Sequence, residues 1–160
     1  MTKKHIVSAL TLSTILLIAV TAAGCGGKSK SITVDPAALA SSIAQSAVSS
    51  DTLTETAQAM LPAIYYISED VLNSGCAYMS AGSTACEVAV IECKEAKQTA
   101  DVKKLFEERV KSQSDLYASY NQGEVAKLDR AIIKTAGKYA VLAVCDDNEK
   151  AEALLTEAGF

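Results

Sequence analysis

The chain has 160 residues with 15 basic and 19 acidic side chains, a formal net charge of −4, a single histidine and no tryptophan. An acidic chain without a basic, aromatic-interleaved patch excludes nucleic-acid binding as a function class. His5 is the one histidine and lies in the first apolar segment, so the rest of the chain cannot run Ser-His-Asp or Cys-His catalysis or offer a histidine to a metal.

In chain order, Lys3 and Lys4 form a short basic start and His5 to Val20 an apolar run, the anatomy of an export signal. The run approaches the roughly 20 residues that span a bilayer, but Ser8, Thr11, Ser13 and Thr14 dilute it, and it stops at Ala22-Ala23-Gly24-Cys25. Small residues ahead of a cysteine are what a lipoprotein-processing peptidase reads, although Ala22 stands where Leu is commoner. The expectation is a cleaved signal over 1–24, with Ala22, Ala23 and Gly24 recognised by the peptidase and Cys25 lipidated; an ordinary secretory signal and a retained anchor are the alternatives. Ala22 to Ser29 also reads as a relaxed phosphate loop, but such a loop must follow a strand and open a helix, whereas this one would be cut at Cys25. Residues 25–31 are Cys, Gly, Lys and Ser, read as a lipidated residue and flexible tether.

Processing leaves about 136 residues, the size of one domain, and removing Lys3 and Lys4 takes the charge to −6. No fixed repeat or linker divides the chain, so residues 32–160 are expected to form one domain. Asp35-Pro36 is a helix cap followed by proline at the first helical position, and Leu39, Ala40, Ile43, Ala44 and Ala47 recur at helical spacing to about Val48. Ser50-Asp51 reads as a turn and second cap. A helix is expected from Thr52 to Leu61, stopped by Pro62, with Ser68-Glu69-Asp70 capping one more turn through Leu72.

Cys76–Ser80 and Cys86–Lys94 read as a hairpin about the turn Ala81–Ala85. Thr99 caps a long helix whose stripe runs from Val102 through Leu105, Phe106, Val110, Leu116 and Tyr117 to Tyr120, with Glu107–Lys111 as an i,i+4 pair and Asn121-Gln122-Gly123 as its end. Ala131–Thr135 and Tyr139–Cys145 form a second hairpin, and Ala151, Leu154, Leu155 and Ala158 mark a last helix ending at Gly159. The fold expected is α+β: N-terminal helices, then ββα-ββα, with a mostly antiparallel four-stranded sheet packed by helices.

Ile64-Tyr65-Tyr66-Ile67-Ser68-Glu69-Asp70, the strand from Cys86 to Ile91, the helix ending at Tyr120 and the hairpin Gly137–Leu142, behind a short lipoprotein signal, together resemble a family of small Firmicutes lipoproteins known only as a domain of unknown function. The resemblance spans about Ile32 to Phe160. It implies a Gram-positive envelope setting and no particular activity; the mature cysteines are not part of the pattern.

Cys76, Cys86, Cys93 and Cys145 contain no C-x-x-C pair or zinc spacing. They are expected as buried thiols, with a disulfide such as Cys93–Cys145 and reactive chemistry as alternatives. Glu69-Asp70, Glu107-Glu108 and Asp146-Asp147 with Glu149 are expected as caps and solvated acids; the last group lacks the spacing of a calcium loop. No cofactor is expected. The tyrosines are Tyr65, Tyr66, Tyr78, Tyr117, Tyr120 and Tyr139, and an interaction surface is sought first at Tyr65 and Tyr66. The expected function is a non-enzymatic binding or accessory module, lipid-anchored on the extracytoplasmic face of the cell membrane and contacting an envelope protein. The alternative is a small solute-binding or carboxylate-based enzyme component of envelope polymer modification or transport.

Overall fold

A computed structural model describes residues 32–160. The expected signal over 1–24, Ala22, Ala23, Gly24, the Cys25 lipidation site and the tether over 25–31 lie outside the described residues.

Helix α1 (Pro36–Ala47) begins as its cap requires, with the Asp35 carboxylate accepting from Ala37 N at 2.9 Å and Ala38 N at 3.2 Å. Its buried face is Leu39, Ala40, Ile43, Ala44 and Ala47, and the alanines let it lie close to the sheet. Strand β1 (Thr54–Thr56) follows, then a 3₁₀ turn (Gln58–Met60) and the short helix α2 (Leu61–Tyr65). A helix over 52–61 is therefore not formed. Pro62 sits inside the first turn of α2, where a missing N–H costs nothing, so it opens a helix instead of ending one. The β-branched Thr54 and Thr56 pair with Met79 and Ala77.

Strand β2 (Leu72–Met79) starts four residues earlier than the hairpin expected at Cys76, and the turn expected from Ser68 leads into it, with Val71 N and Leu72 N donating to the Ser68 carbonyl and Asp70 N to Ser68 Oγ. With β3 (Glu87–Cys93), β4 (Ile132–Ala136) and β5 (Tyr139–Val144) it makes one antiparallel sheet in the order β1-β2-β3-β5-β4. The sheet thus has five strands, not four, because β1 adds to the β2 edge. Helix α3 (Thr99–Tyr117) is entered from a 3₁₀ turn whose Glu95 and Gln98 form a capping box, so Thr99 is its first residue and not its cap. Lys103–Glu107 and Lys111–Asp115 are its i,i+4 ion pairs in place of Glu107–Lys111. Asn121-Gln122-Gly123 does not end the helical region but opens α4 (Gln122–Leu128). The last helix, α5 (Asn148–Ala158), is capped by Asp147 and stopped by Gly159 at φ 100°.

Helices cover both faces. Leu39, Ile43, Val88, Val90, Val141 and Leu155 belong to a core between α1, α5 and the sheet. On the other face Leu61, Tyr65, Ile91, Phe106, Leu142 and Val144 pack with α2, α3 and α4. This explains why β5 is buried at every position and β3 from Glu87 to Ile91: a strand covered on two sides reads as a continuous apolar run. Tyr65 meets Phe106 edge to face, with ring centres 5.3 Å apart, a contact worth about 1 kcal/mol beyond its buried area.

Candidate functional site

The chemistry-bearing side chains gather at the end of the sheet where β3 begins and β5 stops. Lys127, from α4, is the centre of one group. Its ammonium lies 2.9 Å from Asp146 Oδ1, 3.1 Å from Glu124 Oε2, 2.9 Å from Ser50 Oγ and 3.5 Å from Cys86 Sγ, with 13% of its side chain exposed. Asp146, just past β5, accepts from Ser49 N and Ser50 N at 2.7 Å each and from Ser50 Oγ at 2.9 Å. Burial pushes the Asp146 carboxyl up, but the Lys127 ammonium and the serine N–H groups outweigh it and hold the group well below the usual carboxylate range. Burial likewise disfavours charge on Lys127, and its two carboxylate partners outweigh it, so the amine titrates above its ordinary value.

Neighbouring contacts extend the network. Asp51 accepts from Ser80 Oγ at 2.5 Å and Thr84 Oγ1 at 3.0 Å, so it holds the β2–β3 loop and does not cap a helix. Glu124 accepts from Ala85 N at 2.8 Å, and the Tyr117 hydroxyl donates to the Thr84 carbonyl. A lysine kept charged and surrounded by carboxylates has no lone pair for general-base work. What this arrangement does is join the α1–β1 connection, the β2–β3 loop, α4 and the end of β5.

A second centre faces α2 and α3. Glu87, with 6% of its side chain exposed, is gripped by Arg109 from Nε at 3.2 Å and Nη2 at 2.9 Å. Burial disfavours the Arg109 charge, but Glu87 more than restores it and raises its titration. The guanidinium also stands 6.0 Å from the Tyr65 ring centre. The Tyr65 hydroxyl is buried without a hydrogen-bond partner, and burial first, then the Glu87 charge, raise it well above an ordinary phenol.

Tyr65 is thus a core residue at 1% exposure that reaches only a cavity wall, whereas its neighbour Tyr66 is 84% exposed. Tyr66 ends α2 in the left-handed conformation, with φ 57° and ψ 29°, a state that glycine fills readily and tyrosine only with strain. It borders a cavity of about 210 Å³ between α2 and α3, with Ile64, Leu105, Glu108, Arg109 and Ser112. Leu105, Arg109, Ser112 and Leu116 are spaced by four, three and four residues, one face of α3. Leu116 and, just beyond the helix, Tyr120 are more than half exposed. Tyr117 and Tyr139 are buried and Tyr78 is half-buried, so Tyr66 and Tyr120 are the exposed tyrosines among the described residues.

All four described cysteines are free and buried. Burial, then the adjacent Glu92 charge, pushes the Cys93 thiol up to about 11. Burial, then Cys86 and Asp146, pushes Cys145 to about 11 as well. Cys93 cannot meet Cys145. Their strands are neighbours but antiparallel, and Cys93 bonds Lys138 at the far end, seven residues or about 20 Å from Cys145. Glu69, Asp70, Glu107 and Glu108 are exposed, and Asp147 caps α5 through Lys150 N at 3.0 Å. Among the described residues no three Cys, Asp or Glu side chains converge as metal ligands, and no helix is long and apolar enough to cross a membrane.

Lys127 carried no sequence signal, because Glu124 three residues before it reads as a solvated helix pair; its burying partners, Ser50 and Asp146, are remote in sequence. Arg109 and Glu87, 22 residues apart, were equally silent.

The family described as "Domain of unknown function (DUF4358)" matches residues 46–145, more than half of the chain, and the chain belongs to that family. No curated protein and no solved structure matches it.

Proposed function

We propose that this member of the DUF4358 family is a lipid-anchored, extracytoplasmic accessory module of a cell envelope, which binds a protein partner through the α2–α3 face around Tyr66. The observation that carries the reading is Tyr66 itself. A large aromatic side chain left 84% exposed on a left-handed residue adds almost nothing to the core and costs conformational energy, and such strain concentrates where a surface is used. Exposed tyrosine beside a cavity lined by Ile64 and Leu105 together with Glu108 and Arg109, and a half-exposed Leu116, is a composition that protein interfaces favour. Ala22 to Cys25 supports the anchor, and two or three acyl chains at about 0.8 kcal/mol per buried methylene give stable retention. The solute-binding or enzymatic alternative draws little from Asp146 and Glu124, since the Lys127 ammonium engages both carboxylates.

The test is photo-crosslinking in intact cells with a reactive residue at position 66 or, as the opposite-face control, at position 45 on α1. A single envelope protein trapped from position 66 and not from 45, and lost when Cys25→Ser removes the anchor, is the expected result. Equal trapping from both positions, or none from either, refutes the reading.

A further inference from the structure

The register of β3 and β5 pairs Glu87 with Val144 and Val88 with Ala143, so one step outward sets Cys86 opposite Cys145. The Cys93 N–H donates to the Lys138 carbonyl at 2.8 Å, which makes 93/138 a hydrogen-bonded pair. Alternation along an antiparallel ladder then makes 86/145 a non-hydrogen-bonded pair, the class with Cα atoms only about 4.5 Å apart and side chains closest. The local bonds agree, because Cys86 N takes Thr84 Oγ1 and Cys86 O takes Ser80 N, leaving neither for Cys145. Both side chains lie on the α1–α5 face, in one core cluster with Val88 and Ala143. A separation of about 4.5 Å falls within the span a disulfide bridges without backbone movement.

The other two thiols are excluded by the same ladder. Cys76 faces Val90, four residues along from the position opposite Cys86, and Cys93 points to the other face at the far end of the sheet.

We propose that Cys86 and Cys145 are a dithiol pair that closes to a cross-strand disulfide by exchange with a disulfide-bearing oxidant. The Cys86 thiolate attacks one sulfur of the oxidant, forming a mixed disulfide and releasing one thiolate. The Cys145 thiolate then attacks the Cys86 sulfur, forming the Cys86–Cys145 bond and releasing the second thiolate of the oxidant. The two protein protons pass to the released thiolates, and two electrons go from the protein to the oxidant. The Lys127 ammonium, 3.5 Å from Cys86 Sγ, stands where sulfur carries negative charge during exchange. Both residues are 1% exposed, so closure accompanies folding more readily than it follows it. The bond would tie the β2–β3 loop to the end of β5, beside the network that Lys127 and Asp146 already hold.

The test refolds the detergent-purified protein, denatured and reduced, in a buffer of reduced and oxidised glutathione, and maps its cysteines by alkylation and mass spectrometry. One intramolecular link joining the peptides of Cys86 and Cys145 is expected, with Cys76 and Cys93 still alkylated and a Tm more than about 5 °C above that of the reduced protein. Cys145→Ser removes the link and the Tm difference, whereas Cys93→Ser keeps both. Four free thiols at equilibrium, or a link that uses Cys25, Cys76, Cys93 or a second molecule, overturns the proposal, and the wild-type map decides it even where a variant does not fold.

Discussion

Replacing Asp146 by Asn tests whether the Lys127 network holds the sheet end together. The carboxylate accepts from Ser49 N and Ser50 N on one oxygen and from Ser50 Oγ and Lys127 on the other, with 18% of the side chain exposed. An Asn side chain keeps one acceptor and turns an NH₂ group toward donors on the other side. It also leaves Lys127 with Glu124 alone. Breaking a buried ion pair from one side costs about 3–5 kcal/mol, and the surviving acceptor and Glu124 place this case near about 3 kcal/mol, or a Tm fall on the order of 12 °C for a domain of this size. The pH dependence carries the sign of the effect. The folded-state titration of Asp146 lies below its ordinary 3.8, so its stabilisation is complete above that value and declines as pH falls through it toward the folded value, by about 1.4 kcal/mol per unit. Urea titrations of both proteins from pH 7 to pH 2.5 read the difference. A gap near 3 kcal/mol at pH 7 that narrows below pH 3.8 is expected; a gap under about 0.5 kcal/mol at pH 7, or one that stays constant into acid, refutes the reasoning.

Arg109→Met strands the Glu87 carboxylate between α3 and β3 and should lower stability by about 3 kcal/mol, with Glu87→Gln/Arg109→Met recovering part of the loss, as a double-mutant cycle by chemical denaturation will show. Tyr66→Gly relieves the left-handed residue at φ 57° and should raise stability by about 0.5–1 kcal/mol in chemical denaturation; a destabilised variant contradicts the strain argument. Gly75→Ala puts a Cβ 2.8 Å from Ile91 Cδ1 and 3.2 Å from the Val90 carbonyl oxygen, so calorimetry should register a loss of about 1–3 kcal/mol from overpacking.

The parts of the fold that were legible are those in which a local signal and a global need coincide. Asp35-Pro36 announced α1, and the apolar runs of β3 and β5 announced strands of a helix-packed sheet. What was not legible lacked a local period. Three residues of β1 form a strand only because β2 offers an edge. Pro62 permits both the end of one helix and the first turn of the next, and the 3₁₀ turn before it decides between them. The seven residues of α4 are too few to display a stripe. At the candidate site, Tyr66 was visible as an aromatic but its left-handed backbone was not, since nothing in a tyrosine signals φ above zero. Tyr65 and Tyr66 are adjacent, and which of them faces Phe106 depends on where α2 ends. Cys86 and Cys145, 59 residues apart, become opposite each other only through the β3–β5 register.

The mass of the mature N-terminal peptide from membranes of the native host decides whether the protein carries the proposed lipid anchor. A peptide beginning at Cys25 and carrying a diacylglyceryl group, with or without an N-linked acyl chain, is the predicted result. A mature protein that begins elsewhere, or a Cys25 found as an unmodified thiol, contradicts it.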